Sequence, residues 1–194
     1  MTYKFNNARI LVVDDMAPMQ TLLRSMLSVF GFKDVDMAEN GEEGFEKFCR
    51  YNPDLILTDW VMDPINGIEM VEKIRTDPDS PNRFVPILLM TGFMSKIRVE
   101  HARDKGVTEF VVKPFTAKDL YARIEHAIEQ PRSFVDSRKY FGPDRRRHKN
   151  YDYRGKPRRS SDFRDGEIIL TDRQHKQQSQ VVNNITRIIR KEEA

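Results

Sequence analysis

Asp14, Asp15, Asp59, Thr91 and Lys113 are the residues of this chain whose types and order could do chemistry together. Each follows a run that reads as a buried strand: Ile10–Val13, Leu55–Thr58, Ile87–Met90 and Phe110–Val112. Parallel strands bring their C-terminal ends to one edge of a sheet, and open α/β sheets carry their chemistry there. Carboxylates gathered at such an edge could hold a hard cation, and one of them could attack phosphorus. A lysine adds compensating positive charge, and a threonine adds a hydroxyl for a new phosphoryl oxygen. The chemistry these residues suggest is Mg2+-dependent transfer of a phosphoryl group onto the chain itself, with Asp59 as acceptor.

Five strand–helix units must position these residues. After the first strand, Met19, Leu22, Leu23, Met26, Leu27 and Phe30 recur at helical spacing over Met16–Phe30, with Gly31 as the stop. A strand over Asp34–Ala38 and a helix over Gly41–Arg50 follow, with Phe45 and Phe48 on its buried side. The Leu55–Thr58 strand leads to a helix over Ile68–Arg75. Val85–Thr91 with Ser95–Lys105, then Glu109–Val112 with Thr116–Glu129, complete the alternation. Such alternation implies a parallel sheet covered by helices on both faces. Right-handed crossovers then favour an α/β, doubly wound, five-stranded parallel sheet of order 2-1-3-4-5. Asp77–Arg83 reads as an exposed loop ahead of the fourth strand.

Composition divides the chain in two. Of its 194 residues, 1–130 hold 16 Lys and Arg against 21 Asp and Glu, a net −5, and 131–194 hold 17 against 9, a net +8. An acidic globular part is therefore expected over 1–130 and a basic appendage beyond it. No run approaches the ~18 apolar residues of a membrane span, and the N-terminus lacks a signal peptide's layout. A lone cysteine, Cys49, excludes an internal disulfide framework and suits a reducing cytoplasm. His101, His126, His148 and His175 have no metal-binding spacing. No phosphate-binding glycine loop and no serine elbow is present.

Residues 6–130 resemble a response-regulator receiver domain of the CheY type. The resemblance rests on Asp14-Asp15, Asp59 opening Asp59-Trp60-Val61-Met62, Gly67, Thr91-Gly92 and Lys113-Pro114-Phe115, in order and at strand ends. It implies that Asp15 and Asp59 ligate Mg2+ directly, that the Val61 carbonyl contributes, and that Asp14 acts through a metal-bound water. It further implies a cis Lys113-Pro114 bond and a pairing of Lys113 with carboxylate at rest and with phosphate afterwards. Phe110 occupies the family's aromatic switch position, a core aromatic at a strand end being the other reading. The loop Met62-Asp63-Pro64-Ile65-Asn66-Gly67 departs from the family's usual Met-Pro-x-x-Asp-Gly. An altered loop shape is expected, with phosphorylation retained. A receiver modifies itself and has no separate substrate, so it is not read as an enzyme.

Beyond Pro131 the periodicity stops. Residues 138–164 carry 11 Lys and Arg against 3 Asp, interleaved with Tyr140, Phe141, Tyr151, Tyr153 and Phe163. The stretch 131–177 is expected to be disordered until a ligand orders it. Over 178–192, Val181, Val182, Ile185, Ile188 and Ile189 make one stripe of a short amphipathic helix. Three readings compete for the basic segment: a solvated linker, a binder of nucleic acid or an acidic protein, and a site for a guanine-containing second messenger. Arginine forks suit phosphates and guanine edges. A receiver followed by Phe141-Gly142-Pro143-Asp144-Arg145-Arg146-Arg147 is similar to CheY-like proteins whose arginine-rich tails bind cyclic di-GMP. Arg154 and Arg158 form an Arg-x-x-x-Arg, and Arg159 and Asp162 an Arg-x-x-Asp, each no commoner than composition predicts. The layout therefore carries this favoured reading, and those short motifs add little to it.

The whole is expected to be a cytoplasmic single-receiver response regulator. A histidine kinase or phosphotransfer protein would donate to Asp59, and output would be contact with a protein such as a flagellar motor component or a signalling enzyme. The alternative is an adaptor gated mainly by its tail, through nucleic acid or an acidic partner, with phosphorylation secondary.

Overall fold

The computed structural model describes residues 5–92, 95–137 and 140–144. Five strands, β1 (Arg9–Val13), β2 (Asp34–Ala38), β3 (Leu55–Asp59), β4 (Ile87–Thr91) and β5 (Glu109–Val112), alternate with α1 (Ala17–Val29), α2 (Gly41–Tyr51), α3 (Gly67–Thr76), α4 (Lys96–Asp104) and α5 (Ala117–Glu129). The sheet order is β2-β1-β3-β4-β5 and every pairing is parallel, as expected.

Side chains alternate across a strand, so each strand feeds two cores. Leu11, Val13, Ile56, Ile87, Leu89 and Phe110 pack beneath α2, α3 and α4. Ile10, Val12, Leu57, Leu88, Met90 and Val111 pack beneath α1 and α5 with Leu23, Leu27, Leu120 and Ile124. Strands buried on both faces explain why the sequence shows continuous apolar runs there. Helix starts are set by side chains that satisfy orphan backbone donors. Asn40 caps α2, while Asn66 with Glu69 and Thr116 with Asp119 form capping boxes on α3 and α5. The asparagine in the loop after Asp59 thus takes the capping role an aspartate would fill. Cys49 is exposed on α2. Among the described residues, no helix is long and apolar enough to cross a membrane.

Structure continues past Pro131, where the sequence suggested that it ends. β6 (Phe134–Ser137) and β7 (Tyr140–Pro143) form an antiparallel hairpin. In this register Phe134 and Phe141 share one face, and their rings close on Phe84 with centroids 5.0 and 5.2 Å from it. All three rings are buried. Each buried phenylalanine contributes about 1.5–3 kcal/mol toward the entropy of ordering the hairpin, alongside the strand ladder and the contacts to Arg75. Composition hid this, because two strands of four residues interrupted by charge and followed by Gly-Pro give no periodic signal. The rest of the tail lies outside the described residues, including Arg145, Arg146, Arg147, Arg154, Arg158, Arg159, Asp162 and the helix expected over 178–192.

Candidate functional site: a carboxylate–lysine cluster at the strand ends

β1, β3, β4 and β5 deliver their C-terminal residues to the same edge. Asp14 follows β1 with its side chain fully buried, and its Oδ1 accepts a hydrogen bond from the Met16 amide at 2.9 Å. Asp59 ends β3, and its side chain is 14% exposed. Lys113 follows β5 and bridges the two acids, with Nζ 2.9 Å from Asp59 Oδ1 and 3.3 Å from Asp14 Oδ2. The Lys113 amide donates to the Thr91 carbonyl at 2.8 Å, which ties the ends of β4 and β5 together. Thr91 is buried. The Lys113–Pro114 peptide is cis, as the resemblance implied, and so is Asp63–Pro64.

The structure therefore brings together Asp14, Asp59 and Lys113, with Thr91 joined through the backbone. Asp15 follows Asp14 in the chain and is exposed. Val61 is 65% exposed on the loop beyond Asp59. Phe110 is buried against the α2–α4 face. That loop is pinned tightly. The Gly67 amide donates to the Trp60 carbonyl at 3.1 Å, and a Cβ on Gly67 would lie 1.9 Å from the Asp59 carbonyl oxygen. Only glycine allows the loop to fold back so closely on β3.

Burial pushes the Asp14 carboxyl above its ordinary value, and the nearby Asp59 charge adds to this. The Met16 amide and Lys113 pull the other way. A carboxylate raised in the folded state binds its proton more readily there than in the unfolded chain, so its ionised form is a cost to folding at neutral pH. That cost is relieved as the pH falls through the raised value. Asp14→Asn is accordingly expected to melt at a higher temperature than the wild type at neutral pH. The gap should narrow in mildly acidic buffer, as thermal melts at both pH values would show.

The donors on this edge are hard oxygens, and among the described residues no three His, Cys, Asp or Glu side chains group as a ready-made metal cage. Hard oxygens suit Mg2+, which takes one or two carboxylates and keeps several waters. Two residues outside the sequence reading also bear on the edge. The Gln20 amide donates to the Asp14 carbonyl at 2.6 Å and to the Ala38 carbonyl at 3.1 Å, fixing the start of the acidic turn. The Arg98 guanidinium lies 5.7 Å from the Trp60 ring centroid, linking α4 to the residue after Asp59. A glutamine and an arginine on helix surfaces carry no sequence signal for either role.

A parallel 2-1-3-4-5 sheet with two acids and a lysine at its C-terminal edge defines a receiver. The sequence model of the family described as the response regulator receiver domain matches residues 10–125. The chain belongs to that family. It is 38% identical over 120 residues to the chemotaxis protein CheY1 of Helicobacter pylori, a match covering 60% of this chain and 94% of that one. It is 31% identical over 122 residues to the chemotaxis protein CheY of Pseudomonas aeruginosa, covering 63% of this chain and 97% of the relative. Among solved structures, the chemotaxis protein CheY4 of Vibrio cholerae superposes with a TM-score of 0.57 at 28% identity, covering 61% of this chain and 97% of that one. The hairpin lies beyond the residues matched by the family.

Proposed function

We propose that the chain is a single-receiver response regulator phosphorylated on Asp59, with cyclic di-GMP as a second input to its arginine-rich tail. The observation that carries the first part is the Lys113 ammonium between Asp59 and Asp14 at the strand ends. Asp59 Oδ attacks phosphorus, the bond from phosphorus to the donor breaks, and the donor leaves with that electron pair. Phosphoryl transfer asks the protein mainly for alignment and charge compensation. Lys113 exchanges its carboxylate partner for a phosphoryl oxygen, and the Thr91 hydroxyl donates to another. Asp15, Asp59 and the Val61 carbonyl would hold Mg2+, with Asp14 acting through water. When bound, Mg2+ supplies the positive charge that offsets carboxylate repulsion as the phosphoryl group approaches.

The donor in this reading is a histidine kinase or phosphotransfer protein in the cytoplasm, and the output is contact with a protein target. The chemotaxis relatives favour a motility target such as the flagellar motor. The chain modifies itself and is not proposed as an enzyme. Acetyl phosphate with Mg2+ should add one phosphoryl group, detected by intact mass, and a chain that stays unmodified would sink the switch. For the tail, calorimetry with cyclic di-GMP should give saturable heat that Arg145/Arg146/Arg147→Ala weakens. Binding of nucleic acid instead, with steep salt dependence, would favour the adaptor reading.

A further inference from the structure

The hairpin touches the far ends of the same elements that build the phosphoacceptor edge. Phe134 and Phe141 close on Phe84, just ahead of β4, and β4 ends in Thr91. Arg132 Nη2 reaches Glu109 Oε1 at 3.1 Å, at the start of β5, and Lys113 follows the end of β5. Arg75, in the last turn of α3, stacks its guanidinium 5.2 Å from the Phe134 ring centroid, and α3 begins at Gly67 behind the acceptor loop. The Tyr140 hydroxyl donates to the Pro143 carbonyl at 2.7 Å within the hairpin and lies 3.4 Å from the Arg103 carbonyl near the end of α4, and α4 begins just past Thr91. Arg75 also donates twice to the Gly106 carbonyl between α4 and β5, at 3.1 and 3.0 Å.

Resting on the reading that Asp59 accepts a phosphoryl group, we infer that Arg132 together with strands β6 and β7 is a conformational clasp. Docked, the clasp holds α3, α4, β4 and β5 in the arrangement in which Lys113 pairs with Asp59 and Asp14. Phosphorylation of Asp59 loosens it. β5 is only four residues long and paired with β4 along its length, from Leu88↔Glu109 to Thr91↔Val112. A shift of Lys113 toward a phosphoryl oxygen therefore loads the Glu109 end, which Arg132 and the α4–β5 turn hold. Packed interiors respond to such loads by switching between discrete arrangements, and the hairpin, which shares no strand pairing with the five-stranded sheet, is the element that can separate. Linkage makes the effect reciprocal: a loosened clasp favours phosphorylation.

Hydrogen exchange at the β6 and β7 amides tests this, with the free full-length chain compared with the chain holding beryllofluoride and Mg2+ as a stable phosphoryl mimic. Exchange should quicken about threefold or more in the mimic-bound chain, as a local opening made easier would require. Equal exchange, in a chain that takes a phosphoryl group from acetyl phosphate, overturns the clasp and leaves the acceptor reading standing. No uptake from acetyl phosphate removes both. In the reverse direction, Tyr140→Phe keeps the ring and drops only the hydroxyl's hydrogen bonding, and Arg132→Gln removes the nearer of the two arginine charges facing Glu109, Arg123 remaining at 3.8 Å. Both should take up phosphoryl groups a few-fold faster than the wild type, and unchanged rates overturn the clasp.

Discussion

Asp59→Asn is expected to gain no phosphoryl group from acetyl phosphate and Mg2+ under conditions that modify the wild type completely. The amide has the shape of the carboxylate but neither its charge nor its nucleophilicity, and the acceptor oxygen is what the reaction needs. The fold should be unaffected. Lys113 keeps its second partner, Asp14 Oδ2, at 3.3 Å, so the ammonium is not left alone. Asp59 is one of the groups that push the Asp14 carboxyl up, so its neutralisation should let Asp14 titrate lower than in the wild type. Urea melts should place the variant within ~1 kcal/mol of the wild type, because an isosteric change at a partly exposed site away from the core is usually mild. Continued modification of this variant would move the acceptor to another carboxylate on the edge and refute the assignment to Asp59.

Arg75→Ala should cost about 2–5 kcal/mol of stability, the range for truncating a large buried side chain. Removal of a desolvated charge partly offsets this cost, which is set against the ~5–15 kcal/mol typical of a domain. Arg75 is 1% exposed, and burial pulls its guanidinium down to about 9, which still leaves it charged at neutral pH. Its hydrogen bonds run to backbone carbonyls: Nε and Nη2 to Gly106, and Nη1 to Arg83 at 2.7 Å. Alanine leaves both acceptors without these donors and opens a cavity beneath Phe134. Gly106 has φ of 101°, and a Cβ there would meet Arg75 Cγ at 2.8 Å, so the turn and the arginine are fitted to each other. Arg75→Met separates the contributions, because it fills the volume without supplying donors. Urea melts should rank Met above Ala, and the gap between Met and wild type weighs the lost hydrogen bonds against the relieved desolvation of the charge. Stability of the alanine variant equal to wild type would show that the hairpin corner carries no weight in the fold.

How much of this was legible in advance depends on the range of the forces involved. Val12, Leu57, Leu88 and Val111 sit in runs whose apolar continuity announces strands buried on both faces, and the helices repeat their apolar residues at 3.6 spacing. Those are local signals, and crossover handedness turns them into one topology. Once the strands are placed, the positions of Asp14, Asp59, Thr91 and Lys113 at strand ends require that they share an edge. The receiver and its candidate site were therefore readable almost whole.

The pairings within that edge and the hairpin corner were not. Nothing in the sequence says that the Lys113 ammonium rests between Asp59 and Asp14, because its partners are 54 and 99 positions away along the chain. Arg75 looks like any surface cation of an amphipathic helix until Phe134, Gly106 and Arg83 close around it. Glu109 sits at a buried position on β5 and survives there because Arg123 on α5 and Arg132, from beyond α5, come to it at 3.8 and 3.1 Å. Charge buried in a protein is stable only in the company of specific partners, and those partners are chosen by long-range packing. Local pattern by itself determined the sheet, its order and the groups at its edge. Tertiary contact alone decided that the start of the basic tail packs against the receiver.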